Sequence, residues 1–139
     1  MKWFITVIVA ISVITSFQVC QAKEPVEFTT EFFKMVETGK ISEAYDQLFS
    51  GSQIPVQKPQ AVDVLKRQTS GGLPLYGKII GLEKIREEKI GNSIIRLVYV
   101  LKMDLAPTVW EFYFYNPKGN WVLTNVMFND QFNLLYKIE

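Results

Sequence analysis

The side chains able to do acid–base work in this chain are few, and their types exclude more than they permit. There is no histidine anywhere, and the single cysteine is Cys20. Proton abstraction without histidine calls for a carboxylate base in an apolar pocket, with a tyrosine or a protonated acid as hydrogen-bond donor to the developing oxyanion. The nearest approach to that pairing is Asp46 beside Tyr45. Asp46 falls off the apolar stripe of its segment, which favours a solvated carboxylate over a buried base.

A second candidate is Glu111, the one acid inside the run Thr108 to Tyr115. Pairing with the neighbouring segments would bring Asn125, Val100, Arg96 and Lys102 near it. That set suits either polar recognition or a cross-strand contact worth roughly 0.2–1 kcal/mol, and the second is the simpler account. A third group, Tyr45, Tyr99, Trp110, Phe112 and Thr124, could line an apolar pocket with a few hydroxyls, the composition that takes a hydrophobic small molecule. Aromatic side chains also fill cores with no ligand present. The carboxylates do not cluster at calcium-loop spacing, so no metal site is expected, and no cofactor. Gly71-Gly72 follows a helical stretch and reads as its stop rather than as a phosphate loop. A serine nucleophile would need a base, which leaves only a serine–lysine couple open.

The elements that would position these groups follow from periodicity. Positions 1–22 read as a secretory signal peptide. Lys2 precedes an apolar run from Trp3 to Val19, and Cys20-Gln21-Ala22 offers small residues for cleavage after Ala22. The run falls short of the ~20 residues of a spanning helix, so no stable membrane anchor is expected once the signal is gone. Residues 23–139 then suit one periplasmic or secreted domain without cysteine, stabilised by its core and by oligomer contacts. The formal charge is +1 before Lys2 is removed. A near-neutral chain gives no reason to expect nucleic acid as a partner.

Pro25 opens a first helix with Phe28, Phe32, Met35 and Val36 on one face, ended by Gly39. Ser42 is placed to cap a second helix carrying Ala44, Tyr45, Leu48 and Phe49, stopped at Ser50-Gly51. Residues 53–58 read as a loop. Pro59 begins a third helix with Val62 and Leu65 inward, ending near Thr69 to Gly72. Leu73 to Gly77 is a tight connection, and Lys78 to Lys89 is best read as an edge strand whose charges discourage foreign pairing.

Three strands follow: Ile94 to Met103, Thr108 to Tyr115 and Trp121 to Phe128. Pro117 and Gly119 set the last turn, in a register that faces Tyr115 with Trp121 and places Leu101 opposite Trp110. One sheet face then carries Leu97, Tyr99, Leu101, Trp110, Phe112, Phe114, Val122, Thr124, Val126 and Phe128. The other carries Val98, Val100, Glu111, Tyr113, Tyr115, Trp121 and Leu123 among its residues. This second face is too apolar for water alone, and a second copy of the chain is the expected cover. Asn129-Asp130 is expected to start a short terminal turn that docks Phe132 to Tyr136.

Helices first and then a curved antiparallel sheet make an α+β fold. The order resembles the nuclear transport factor two-like superfamily, the cystatin-like α+β cone. The residues carrying the resemblance are Phe32-Phe33 through Gly39, Ala44 to Phe49, Gly71-Gly72-Leu73 to Gly77, and Gly119-Asn120-Trp121-Val122-Leu123. The resemblance implies a pocket between the helices and the concave sheet, and dimerisation through the sheet. The superfamily's dehydratase-like members use a histidine that this chain lacks. The expectation is therefore an exported, non-catalytic domain that binds a hydrophobic small molecule or an envelope protein as a homodimer. The alternative is an isomerase- or cyclase-like enzyme with a pocket carboxylate.

Overall fold

The computed structural model describes residues 21–137. The expected signal peptide and its cleavage site lie almost wholly outside the described residues. Four helices, α1 (Pro25–Glu37), α2 (Ile41–Leu48), α3 (Ile54–Gln57) and α4 (Pro59–Gly72), lead through a 3-10 turn (Leu73–Tyr76) into strands β1 (Ile79–Ile90), β2 (Ile94–Met103), β3 (Thr108–Tyr115) and β4 (Val122–Asn129). A second 3-10 segment, Phe132–Lys137, follows. The strands form one antiparallel sheet in the order β1-β2-β3-β4, so β1 and β4 are its edges.

Helix α1 starts at Pro25, which needs no N–H there. It buries Phe28, Phe32, Phe33 and Val36 against the sheet. Phe32 meets Trp110 and Phe112 edge-on at 5.5 and 5.6 Å between ring centres, and Phe33 packs on Tyr99 at 5.2 Å. The hydroxyls of Thr29 and Tyr99 lie 2.7 Å apart, so these two polar ends inside the layer satisfy each other. Helix α2 buries Ala44, Tyr45 and Leu48.

Three local expectations need correction. Ser42 does not cap α2: the helix begins at Ile41, and no side chain caps it. Residues 54–57 form a helical turn rather than open loop, because Pro55 supplies a helix-compatible φ in its first turn. The expected strand registers are also shifted. Trp110 faces Tyr99 and Leu101 faces Thr108, two residues from the expected pairing.

The β3–β4 hairpin departs further. Tyr115 faces Val122, leaving Trp121 in the turn, and the ladder slips between Tyr113 and Phe114. Tyr113 pairs with Asn125 while Phe114 pairs with Leu123, so Thr124 is the extra residue of a bulge. Its hydroxyl donates to the Tyr113 carbonyl at 3.0 Å, supplying a partner where the ladder is broken. A one-residue slip changes faces. Leu123 accordingly sits under the helices, fully buried, and Thr124 is exposed. The two-residue shift of β2 on β3 preserves the faces, and the remaining core positions lie where alternation puts them.

The opposite sheet face is partly covered by the chain itself. A guanidinium N–H of Arg86 on β1 donates to the carbonyl of Leu135 at 3.2 Å. The terminal segment that follows β4 thus reaches β1 at the far edge of the sheet. Val98, directly opposite Arg86, is 0% exposed, and Val109 is 3% exposed.

Candidate functional site

A cleft of about 490 Å³ opens where the end of α1, the start of α2, the end of α4 and the β1–β2 edge converge. Its apolar lining is Val36, Ile41, Leu73, Pro74, Ile79 and Met103, and its polar lining includes Glu37, Ser70 and Lys78. The neighbouring 3-10 turn is held to the sheet by Asp104. The Lys78 N–H donates to the Asp104 carboxylate at 2.6 Å, the Asp104 N–H donates to the Lys78 carbonyl at 3.0 Å, and the Leu105 N–H donates to the Tyr76 carbonyl at 3.1 Å.

This clasp requires a glycine. Gly77 has φ +91°, and a Cβ built there would lie 1.8 Å from an Asp104 carboxylate oxygen. Gly77→Ala is expected to cost about 2 kcal/mol or more in denaturant unfolding, combining a left-handed backbone penalty with loss of the clasp. Gly71→Ala, with nothing within 4 Å of the added carbon, is the control and should be near neutral.

Thr69 also lines the cleft, but its hydroxyl is engaged. It donates to the Leu65 carbonyl at 2.8 Å and lies 2.7 Å from the Tyr45 hydroxyl. Burial pushes the Tyr45 phenol up to about 12, against the opposing pull of Thr69. A raised folded value leaves stability intact below the unfolded tyrosine pKa, near 10, and removes it as pH rises toward 12. Roughly 2–3 kcal/mol should be lost across that window. Unfolding of the wild type and of Tyr45→Phe, followed from pH 9 to pH 12, should show a shallower decline in the variant. Parallel declines would mean that Tyr45 does not carry the effect.

Tyr45, Trp110 and Phe112 are 0% exposed and Tyr99 4%. The structure brings these four residues together as interlocked core, and none of them lines the cleft. Thr124 is separated from them by the bulge. Of the residues expected at a dimer face, Val98 is buried, Val100, Glu111 and Tyr113 are half-buried, and Tyr115 is exposed. Trp121 packs partly against the core, and Leu123 belongs to it.

Glu111 takes part in a polar cluster on the second face. One of its carboxylate oxygens accepts from Arg96 Nε at 3.0 Å, Arg96 Nη2 at 2.9 Å and the Tyr113 hydroxyl at 3.0 Å. Arg96 Nη1 donates to Glu88 at 2.8 Å. Burial would lower the Arg96 pKa, but the two carboxylates outweigh it and hold the guanidinium more firmly charged than usual. Burial and the Glu111 carboxylate both push the Tyr113 phenol up.

Asp46 is exposed and pairs with Lys66 at 2.6 Å. Asp130 is exposed and accepts from the Tyr76 hydroxyl at 3.3 Å. The acid that does line the cleft is Glu37, at the end of α1, with Lys78 at the start of β1. Sequence reasoning singled out neither. The available signal was their place beside the turning glycines Gly39 and Gly77, where the chain leaves an apolar element. Among the described residues Glu37 and Lys78 enter no ion pair within 4.0 Å. Among the same residues no serine hydroxyl hydrogen-bonds to a lysine amine, no group of three or more potential metal ligands gathers, and no helix is long and apolar enough to cross a membrane. The arrangement can hold an apolar group under a charged rim, and it presents no nucleophile–base couple.

No family model matches the chain, and no curated protein matches it in sequence. A crystal structure from Campylobacter jejuni, described as a nuclear transport factor two-like transpeptidase, superposes with a TM-score of 0.54 at 9% identity, covering 73% of this chain and 97% of that one. A likeness of that size at that identity speaks to architecture rather than activity. With its helices first and then one four-stranded antiparallel sheet, this chain has the nuclear transport factor two-like fold.

Proposed function

We propose that this chain is an exported, non-catalytic domain that binds an apolar ligand group, from a small molecule or from an envelope protein, in the cleft between Val36 and Met103. The observation that carries the reading is the cleft itself: an apolar floor with Glu37 and Lys78 at its rim and no acid–base couple inside. Export rests on the signal-like residues 1–22, and dimerisation on the second sheet face, where Tyr115 and Met127 are 42% and 40% exposed.

The isomerase- or cyclase-like alternative needs a carboxylate shielded in an apolar pocket. Asp46, Glu111 and Asp130 are each solvated or paired, and Glu37, the acid that lines the cleft, is exposed, which weighs against it. The transpeptidase description of the C. jejuni protein does not carry over. Acyl transfer needs an activated serine, threonine or cysteine; from residue 23 onward there is no cysteine and no histidine, and among the described residues no serine or threonine hydroxyl bonds a lysine amine.

The test is thermal unfolding against a panel of hydrophobic acids and amines. A binder at a hundredfold excess over its Kd should add about 2.7 kcal/mol. Met103→Trp, which fills the cleft, should abolish that gain. A panel with no stabilising compound would remove the small-molecule form of the proposal. Light scattering that finds a monomer at high concentration would remove the dimer.

A further inference from the structure

The two edges of the sheet are protected very differently. On β1, Glu83 to Lys89 carries six charged residues among seven, and the register with β2 breaks twice. Charges and irregularities of that kind discourage strand addition. On β4, Val122 to Asn129 carries no charged residue and no proline. Its outer side has no strand beside it, and among the described residues no backbone hydrogen bond links β4 to anything but β3.

Only part of that edge is open. The turn after α2 comes up against its start, where a carbon added at Gly51 would meet the Val122 side chain at 3.5 Å. The bulge at Thr124 then disturbs the ladder. From Asn125 to Asn129 the register with β3 runs unbroken.

These five residues read the same in polarity from either end. Asn125-Val126-Met127-Phe128-Asn129 runs amide, apolar, methionine, apolar, amide. Antiparallel pairing with a second copy, about a two-fold axis at Met127, sets Asn125 against Asn129, Val126 against Phe128, and Met127 against itself. Each pair matches in polarity, and no charge has to leave water. The sides match too, because side chains alternate along a strand. Val126 and Phe128 lie on the helix side, where Phe128 stacks on Trp110. Met127 and the two amides lie on the other side, with Asn125 exposed and Met127 40% exposed. The Asn129 Oδ1 accepts from the Gln131 N–H at 2.9 Å, which leaves its NH2 group to donate to Asn125 of the second copy.

We infer that two copies of this chain pair edge to edge through Asn125–Asn129, joining their two sheets into one. The inference rests on the reading of the chain as a dimer and names the strand that makes the contact. An edge of five residues buries less than a standard interface, so the dimer is weak.

The test is sedimentation of residues 23–139 from about 1 µM to about 1 mM, a range that covers weak association. Met127→Lys and Met127→Glu each bring like charges together on the axis and should weaken self-association about tenfold or more. Mixed in equal amounts, the two variants should recover a dimer, since opposite charges then meet. That recovery also shows that both variants keep the fold. In the wild type, amide exchange at residues 125–129 should slow as concentration rises.

A mixture that associates no better than the separate variants overturns the inference, as does a dimer that ignores Met127→Lys. If Tyr115→Glu breaks the dimer and the Met127 variants do not, the copies pair face to face: the dimer reading stands and the edge inference falls. A monomer across the whole range removes both.

Discussion

Trp110→Ala should destabilise this domain by about 3–5 kcal/mol. Trp110 is fully buried and stacks on Phe128 at 4.4 Å and 13° between ring planes, with Phe32 and Phe33 edge-on to it. Its indole N–H donates to the buried Thr108 hydroxyl at 2.9 Å. Truncation therefore combines a large cavity with the loss of a buried hydrogen bond, and both terms act in the same direction. Domains of this size are stable by only about 5–15 kcal/mol, so the variant should lose a large share of the total. Urea unfolding at 25 °C measures the effect. Phe112→Leu, which keeps most of the volume, should cost about 1.5 kcal/mol or less. A loss below about 1 kcal/mol for Trp110→Ala would mean that the aromatic layer is not the stabilising core.

That layer was legible in the sequence because it obeys two simple periods. Phe28, Phe32 and Val36 repeat at helical spacing, and Trp110, Phe112 and Phe114 alternate along a strand, so each element declares its buried face. Pro25 and Pro59 marked two helix starts for the same local reason. The features that escaped the sequence are those decided across the chain. The bulge at Thr124 depends on which carbonyl its hydroxyl meets once β3 is alongside, and it moved Leu123 from one face to the other. The bond that ties the terminal segment to β1 joins residues 49 apart, which no window of the sequence contains. The cleft was missed for a related reason. Its shape follows from Asp104 clasping Gly77 and Lys78, and its rim from two charged residues at the ends of elements, where apolar periodicity is silent. The aromatic side chains assigned to a pocket were instead recruited to close the core, which their size favours.

Arg96→Ala is the second change with a large expected effect, about 2–4 kcal/mol. Arg96 sits in the middle of the sheet's second face with only 12% of its side chain exposed, between Glu88 at 38% and Glu111 at 19%. Two of its N–H groups converge on one Glu111 oxygen that the Tyr113 hydroxyl also uses. Removing the guanidinium strands Glu111 in a half-buried position with a single neutral donor, and an uncompensated carboxylate costs more than the pair itself contributes. The double variant Arg96→Met with Glu111→Leu should recover most of the loss, because neither charge then needs solvation. A cycle of the two single variants and the double variant, measured by urea unfolding, should give a coupling energy of about 1 kcal/mol or more. Additive losses would mean that the two side chains act independently and that the cluster has no stabilising role. A cluster that stabilises in this way also constrains function: with one oxygen of Glu111 held by three donors, the carboxylate is engaged as a structural partner rather than left free as a base.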